Sequence, residues 1–361
     1  MDVETRFELI KGVGEEVVKE EELKELVETK DIITAYDGFE PSGLAHLPVG
    51  VFRPLLLKDL IKANVKFKLL LADSFALINN KLEGDIDKIR KAGEYFLEVW
   101  RAAGVDMNKV EVIWHKEFFE NPEYWMRVIK IAKAHTLKRT MRSLTIAGRM
   151  ESENNPAALI FYPSMQCADI FELNVDICQL GMDQRKVNML AREIAEKMGW
   201  KKPVIVSHHM LLGLKQTNLK DMKNLDKDQI IMLTKMSKSD PESCIFVHDS
   251  REDIERKIMN AFCPAKTIEN NPMVDYVKHI IFRAYDVFEI KRPEKFGGDV
   301  IYENYDDFEK DYVAGKIHPL DLKKAVAEKL DELIKPIREH FEKNEKARKL
   351  YEEVKSFKIT R

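Results

Sequence analysis

Apolar residues recur with a period near 3.6 at 4–10 and again at 21–27, and the pattern then changes to an almost continuous apolar run at 32–39. The first two stretches read as amphipathic helices and the third as a strand. The same change repeats downstream. Strands are predicted at 66–72, 110–114, 175–180 and 204–207, with helices at 48–64, 86–103 and 184–198. Between about 117 and 172 the strand period disappears, and helical segments follow one another at 123–134, 137–149 and 157–173. Strands alternating with helices imply a parallel sheet wrapped by helices, here with a helical insertion in its middle. Residues 215–228 are rich in Lys, Asn and Asp and read as a mobile loop. From 250 onward the chain reads as mostly helical, ending in a charged amphipathic stretch at 318–357. The expected division is an α/β domain over 1–245 and a helical domain over 246–361, with no internal repeat and no low-complexity tract.

At 361 residues and 45% hydrophobic, the chain can bury a large core. No uncharged apolar run approaches the roughly 20 residues that span a bilayer, and the charged start MDVETRFELIKG does not read as a signal peptide, which makes the cytoplasm the expected compartment. Cys167, Cys178, Cys244 and Cys263 are widely spaced with no C-x-x-C pair, a pattern that argues against a zinc ribbon and a disulfide framework. The net charge of −3 does not announce a nucleic-acid partner, but its distribution is uneven. Residues 122–149 carry seven Lys or Arg against one acid, whereas 14–28 are acidic.

The segment PSGLAHLPVG at 41–50 joins the predicted strand at 32–39 to an apolar helical face of Phe52, Leu55, Leu56, Leu57, Leu60 and Ile61. Pro-Ser-Gly is ordinary turn chemistry, and Pro48 suits a first helical turn, where its missing N–H is not needed. A strand, a glycine-bearing turn and a helix N-terminus can also hold phosphate, because free N–H groups and the helix dipole face the ligand. The more specific string is KMSKS, Lys235 to Ser239, after the polar loop. Two ammonium groups among hydroxyls on a small-residue segment suit neutralisation of a polyphosphate whose charge develops in the transition state. A solvated surface loop is the alternative, and the position of KMSKS downstream of the strand, turn and helix at PSGLAH decides against it. Gly12-Val13-Gly14 has no preceding strand and no third glycine in register, which disfavours a dinucleotide oxidoreductase. His208-His209 invite a metal reading, yet neighbours on a strand point to opposite faces, so a structural or adenine-adjacent role is preferred and no metal ligand set is predicted.

With these two strings the chain resembles the class I aminoacyl-tRNA synthetases, which pair an early HIGH-type signature with a late KMSKS loop. AYDGFEPSG at 35–43, YPSMQCADIF at 162–171, GMDQRK at 181–186, KRPEKFGGD at 291–299 and HPLDLKKAVAE at 318–328 narrow the resemblance to tyrosyl-tRNA synthetases of the archaeal and eukaryotic cytosolic type. The resemblance implies a Rossmann-like catalytic domain with a helical insertion, followed by an anticodon-binding domain. It assigns the substrate's phenolic hydroxyl to Tyr36 and Asp169, and the amino acid's charged ends to Tyr162, Gln166 and Gln184. Tyr162, Gln166 and Asp169 are spaced by four and three, so one helical face can present all three. Phenylalanine would leave a buried phenol and carboxylate unpaired, and tyrosine-specific sites are themselves the reference case for this kind of rejection. For ATP the resemblance gives Gly43, His46, Gly181 and Asp183 together with Lys235, Met236, Ser237, Lys238 and Ser239, with His46, Lys235 and Lys238 in the catalytic role. ATP is a substrate, and Mg²⁺ is expected to arrive with it without a protein site of its own. For tRNA it gives Arg142, Arg185 and Lys186 to the acceptor end, and Phe296, His318 and Asp321 to the first anticodon base, the latter set suiting stacking and base-edge readout of unpaired RNA.

Against a full HIGH string the chain keeps His46 but has Pro48 and Val49 in the third and fourth places. Val49 has no side-chain donor, so one contact expected near the phosphates is missing or supplied elsewhere. The expected activity is therefore that of a tyrosine-tRNA ligase acting on L-tyrosine, ATP and tRNA(Tyr). The weighed rivals are a tryptophan-specific relative and a catalytically weak tRNA-binding protein. The resemblance further implies a homodimer, and the ending KITR implies no appended domain.

Overall fold

Alternation within single strands decides the architecture. Ala35, Leu69, Ile177, Val204 and Val206 enter one buried cluster, while their neighbours Tyr36, Leu70, Cys178 and Ile205 enter another. Successive side chains of a strand point to opposite faces, so both faces of this sheet are buried, as parallel sheets require. The structure, a computed structural model, describes every residue except 150, 151, 153, 217–223 and 359–361. Its main sheet comprises β1 (Glu16–Val18), β2 (Ile33–Phe39), β3 (Val65–Leu71), β4 (Val110–Trp114), β5 (Ile177–Cys178) and β6 (Val204–Ser207), in spatial order β1-β6-β5-β2-β3-β4. All neighbours run parallel except β1 on β6. Helices Arg53–Lys62, Ile86–Ala102 and Arg185–Met198 make the crossovers, and the chain between β4 and β5 forms the helical insertion. This is the doubly wound class that the sequence predicts.

Several elements differ from the sequence reading for local reasons. Regular pairing in β5 covers only Ile177–Cys178, although the Asp176 and Gln179 N–H groups still donate to Thr34 and Tyr36 carbonyls at 2.9 Å each. The helix predicted at 137–149 is Leu137–Arg142; the Ser143 hydroxyl donates back to the Arg139 carbonyl, and a 3₁₀ turn Leu144–Ala147 ends at Gly148 with φ +68°. The helix predicted at 157–173 is a 3₁₀ turn, Ala157–Phe161, followed by the α-helix Tyr162–Glu172 with a proline in its first turn. Of the predicted loop at 215–228, residues 217–223 lie outside the described residues. Its end is already helical, because Asp226 and Gln229 form a reciprocal capping box that starts Lys227–Thr234. The amphipathic stretch at 318–357 is two helices, Pro319–Lys343 and Glu345–Lys355, divided at Asn344, whose side chain caps the second. The helical C-terminal half also holds an antiparallel pair, β7 (Phe288–Ile290) and β8 (Val300–Tyr302).

The segment where the sequence divides is packed against the PSGLAHLPVG turn. Leu47 N–H donates to the Ile245 carbonyl at 2.8 Å, Val247 N–H donates to the Ala45 carbonyl at 3.1 Å, and His46 bridges Phe246. Gly50 sits where a Cβ would lie 2.3 Å from Val247 Cγ1 and 3.2 Å from Val99 Cγ1. A second junction is polar. His209 faces Glu15 Oε2 at 2.8 Å and Asp275 Oδ1 at 2.7 Å, and stacks on His279 at 3.8 Å. Burial works against its charge, but the Asp275 and Glu15 carboxylates overcome this and raise its pKa to about 9. His279 goes the other way, to about 4, through burial and the adjacent His209.

Two predictions follow from this packing. Gly50→Ala lowers stability by about 1–3 kcal/mol through overpacking against Val247, read by denaturant unfolding, while Gly12→Ala, with nothing within 4 Å of its Cβ, is neutral or slightly stabilising. His209 has a folded pKa above its unfolded value near 6.5, so its contribution is complete below that pH and is lost as pH rises through about 9. Stability therefore falls between pH 7 and 10 by on the order of 2 kcal/mol more in the parent than in His209→Gln, and equal alkaline slopes for the two proteins would remove this assignment.

Candidate active site

A cavity of about 600 Å³ opens where β2 and β5 part company, the point at which strand order reverses. Parallel sheets place their ligand crevice there, beyond the carboxyl ends of the strands. Its wall includes Tyr36, His46, Tyr162, Gln166, Asp169, Gly181, Asp183, Gln184 and the whole Lys235–Ser239 string. Gly43 is not in the wall; it takes φ +98° in the turn, and its neighbour Ser42 lines the cavity.

At the deep end, Tyr162, Gln166 and Asp169 project from one face of the Tyr162–Glu172 helix. Asp169 Oδ1 accepts from the Tyr124 hydroxyl at 2.7 Å and lies 3.1 Å from His115 Nε2. Asp169 Oδ2 and the Tyr36 hydroxyl, both buried, have no partner. The two glutamines are set by a chain of bonds: Gln184 Nε2 donates to the Ile146 carbonyl at 3.0 Å, and Gln166 Nε2 donates to Gln184 Oε1 at 2.9 Å. That chain leaves Gln166 Oε1 as a buried acceptor without a donor. The Tyr162 hydroxyl donates to Glu40 Oε1 at 2.6 Å.

The mouth is lined by charges that hold one another. Arg53 pairs with Asp37 and donates to Gln179 Oε1 at 2.9 Å, all of it buried. Burial raises the Asp37 carboxyl to about 6 against the pull of Arg53. Lys235 Nζ lies 2.5 Å from Asp183 Oδ2, and Lys238 Nζ donates to Ser42 Oγ at 2.8 Å while resting 4.9 Å from the Phe96 ring centre. Burial, then Lys81, lowers Lys238 to about 7. Burial with Lys238 and Lys235 holds the His46 imidazole well below its ordinary range. Ser237 and Ser239 share a 2.9 Å hydroxyl contact, and Met236 is buried. His208 lines this cavity while His209 faces the Glu15–Asp275 junction, the divergence expected of strand neighbours.

The KMSKS segment is docked by a short antiparallel bridge. Met236 N–H donates to the Leu211 carbonyl at 2.7 Å and Gly213 N–H to the Thr234 carbonyl at 2.9 Å. Leu212, opposite Lys235, therefore turns its own polar groups outward, where Asp275 Oδ2 accepts from its N–H at 2.9 Å and the Tyr276 hydroxyl donates to its carbonyl at 2.6 Å.

The residues expected at the tRNA acceptor end stand beside the cavity. Lys186 Nζ donates to the Arg142 carbonyl at 3.1 Å and pairs with Asp226 and Asp228, while Arg185 pairs with Glu16 at 2.8 Å. Those expected at the anticodon lie in the C-terminal half. His318 caps the Pro319–Lys343 helix that carries Asp321 in its first turn, and Phe296 is exposed on a 3₁₀ turn. Arg292 ties that turn down, donating to the Gly298 carbonyl at 2.8 Å and the Lys316 carbonyl at 2.7 Å.

Sequence reasoning did not single out Asp37, Glu40, Arg53, His115 or Tyr124. Asp37 and Glu40 lie inside the AYDGFEPSG string; the others have partners far away in sequence and carry no local signal.

Residues 28–335 match the family model of class I tRNA synthetases for tryptophan and tyrosine. A cytoplasmic tyrosine-tRNA ligase of Arabidopsis thaliana is 43% identical over 363 residues, covering 100% of this chain and 90% of the relative. The tyrosine-tRNA ligase of Saccharolobus solfataricus is 42% identical over 100% of this chain and 99% of its own. The crystal structure of the Pyrococcus horikoshii tyrosyl-tRNA synthetase complexed with L-tyrosine superposes with a TM-score of 0.89 at 41% identity, covering 98% of this chain and 100% of that one. A tryptophanyl-tRNA synthetase from Encephalitozoon cuniculi, at 17% identity and a TM-score of 0.67, shares the fold alone. On the strength of near-complete coverage at more than 40% identity, the chain belongs to the tyrosyl-tRNA synthetase family of class I tRNA synthetases.

Proposed function

We propose that the chain is a tyrosine-tRNA ligase whose cavity carries out both half-reactions. The carboxylate of L-tyrosine attacks the α-phosphorus of ATP, pyrophosphate leaves, and the tyrosyl group of the adenylate then passes to the 3′-terminal ribose of tRNA(Tyr) with release of AMP. The observation that carries the reading is the pair of partnerless buried atoms, the Tyr36 hydroxyl and Asp169 Oδ2. A substrate hydroxyl can donate to the carboxylate and accept from the phenol, whereas phenylalanine leaves both unsatisfied. Indole offers one donor and no acceptor, which disfavours the tryptophan alternative. Gln166 Oε1, with Tyr162 and Glu40 beside it, supplies acceptors for the substrate's ammonium group.

The nucleophile is already a carboxylate, so catalysis is positioning and charge stabilisation. Asp183 accepts from the ATP ribose, and Gly181 lets the nucleotide approach. Lys235, freed from Asp183 as the ribose takes its place, moves its charge to the phosphates with Lys238. His46, held neutral, offers a donor without adding charge. Arg53, Lys81, Lys235 and Lys238 all line the wall and together stand in for the donor that Val49 lacks. Mg²⁺ enters as part of the ATP substrate. Arg142, Arg185 and Lys186 receive the acceptor end, and Phe296, His318 and Asp321 receive the first anticodon base.

A homodimer is supported by apolar side chains left exposed on the helical insertion: Met126, Ile129, Leu137, Ile160 and Phe161. Phe161 sits edge-on to Trp125, next to Met126 and Ile129 on the Pro122–Lys133 helix. The cytoplasm is the proposed compartment. All four cysteines are free thiols, and among the described residues no helix is long and apolar enough to cross a membrane.

Tyrosine-dependent exchange of pyrophosphate into ATP tests the chemistry. Exchange is expected with tyrosine, and with tryptophan or phenylalanine only at a kcat/KM lower by several orders of magnitude; Lys235→Ala lowers the tyrosine-dependent rate by about 10²-fold, the usual effect of losing one transition-state donor. An unchanged rate in Lys235→Ala would remove that residue from the mechanism. Phe161→Asp with Ile129→Asp is expected to halve the mass measured by light scattering, and a parent that is already monomeric would rule out the dimer.

A further inference from the structure

Asp169 Oδ2 is open while Asp169 Oδ1 is held in place. Two side chains outside the cavity wall do this. The Tyr124 hydroxyl donates to Oδ1 at 2.7 Å, and His115 Nε2 lies 3.1 Å from Oδ1 and 3.0 Å from the Tyr124 oxygen. An ionised carboxylate only accepts, so Nε2 carries the hydrogen. His115 Nδ1 has no partner, being enclosed by Phe75, Phe118 and Phe119 with ring centres 4.6, 5.8 and 6.2 Å away. An aromatic cage would be filled as well by phenylalanine. What a histidine adds there is one hydrogen-bond donor aimed at Asp169.

The backbone of His115 is also fixed. Its N–H donates to the Leu71 carbonyl at the end of β3, and its carbonyl accepts from Phe118 and Phe119 N–H, all at 3.0 Å. The imidazole therefore has a rigid anchor between the sheet and the insertion, while Tyr124 comes from the Pro122–Lys133 helix and Asp169 from the helix packed on it. Without these two donors the carboxylate could rotate or be shared between oxygens, and its open lone pairs would no longer meet a substrate hydroxyl at one place.

We propose that His115, together with Tyr124, is a specificity-determining positioning pair: it occupies one oxygen of Asp169 so that the other is presented, fixed and singly open, to the hydroxyl of the bound amino acid. This rests on the reading of Asp169 as the acceptor of that hydroxyl. The pair touches no substrate atom, and its effect should fall on amino-acid recognition and not on ATP.

The test compares His115→Phe, His115→Gln and Tyr124→Phe in pyrophosphate exchange, with kcat/KM for tyrosine over phenylalanine as the readout and KM for ATP as the internal control. A hydrogen bond to a charged group is worth roughly 10- to 100-fold, so His115→Phe and Tyr124→Phe are expected to lower the discrimination ratio by about that factor, through tyrosine, with KM for ATP unchanged. Glutamine can place an amide nitrogen near the Nε2 position, and His115→Gln is expected to keep the ratio within about 3-fold of the parent. A parental ratio in both His115→Phe and Tyr124→Phe overturns the proposal, as does a loss in which ATP and tyrosine parameters worsen together in all three variants. Should His115→Phe fail to fold, Tyr124→Phe, which removes a single oxygen, decides alone. Tyr36→Phe and Asp169→Asn separate the underlying reading: if they leave the ratio unchanged, that reading fails and takes this one with it. If they lower it and the His115 and Tyr124 variants do not, only the positioning role is lost.

Discussion

A parallel sheet buried on both faces confines its polar side chains to the ends of its strands, with the ligand crevice at the carboxyl ends, and the rest of this molecule is arranged around that constraint. Tyr36 belongs by its alternation to the buried insertion side of β2, yet its hydroxyl reaches the cavity where β2 and β5 separate. Asp37, the next residue, faces the other way and can be buried only because Arg53 comes from the first turn of the crossover helix to meet it. Removing either partner would leave an unpaired buried charge, the costly case for such pairs. The pair thus joins the strand to the helix that follows PSGLAHLPVG at the cavity wall, a positional role that a surface ion pair could not fill.

The same economy of buried groups explains why the C-terminal half is part of the catalytic frame. In the bridge that docks KMSKS, Leu211 and Gly213 spend their backbone groups on Met236 and Thr234, so Leu212 has two groups facing away. Asp275 and Tyr276 take both. With Val247 N–H donating to the Ala45 carbonyl of the PSGLAHLPVG turn, each signature string is held in part by hydrogen bonds from residues beyond 245, directly at the turn and through Leu212 at KMSKS. The sequence divides near 245 and reads as mostly helical from 250, but one buried cluster contains residues from both sides of that division.

What could be read in the sequence was whatever is periodic or local. The 4 and 3 spacing of Tyr162, Gln166 and Asp169 is a property of one helix, and the structure keeps them on one face. The strand and helix order survives because alternation and amphipathicity are short-range signals. The misreadings lie where a distant partner decides. Nothing near Asp226 announces a helix except its cap, and the polar composition before it argued for a loop throughout. Pairing of β1 with β6 joins Glu16 to Ser207, and a three-residue strand has too few positions to show a period. Arg53, 126 residues before Gln179, and His115, 54 before Asp169, are ordinary residues until the fold brings their partners to them.

Electrostatically, the site is balanced before any substrate arrives. Lys235 is neutralised by Asp183 and Arg53 by Asp37, while burial lowers Lys238 to about 7 and keeps His46 uncharged. An empty, low-dielectric cavity with four bare cations would repel itself and weaken the fold that encloses it. The arrangement avoids that cost by holding its positive charge in reserve. In the mechanism proposed above, a polyanion entering the mouth reverses two of these terms: it raises the proton affinity of Lys238, and its ribose offers Asp183 donors in place of Lys235. On that proposal charge is delivered where negative charge develops, which accounts for a signature that carries Val49. In the proposed mechanism the stabilisation does not depend on one neutral donor, because it comes from Lys238 and from Lys235 released by Asp183, while the buried Arg53–Asp37 pair stays intact.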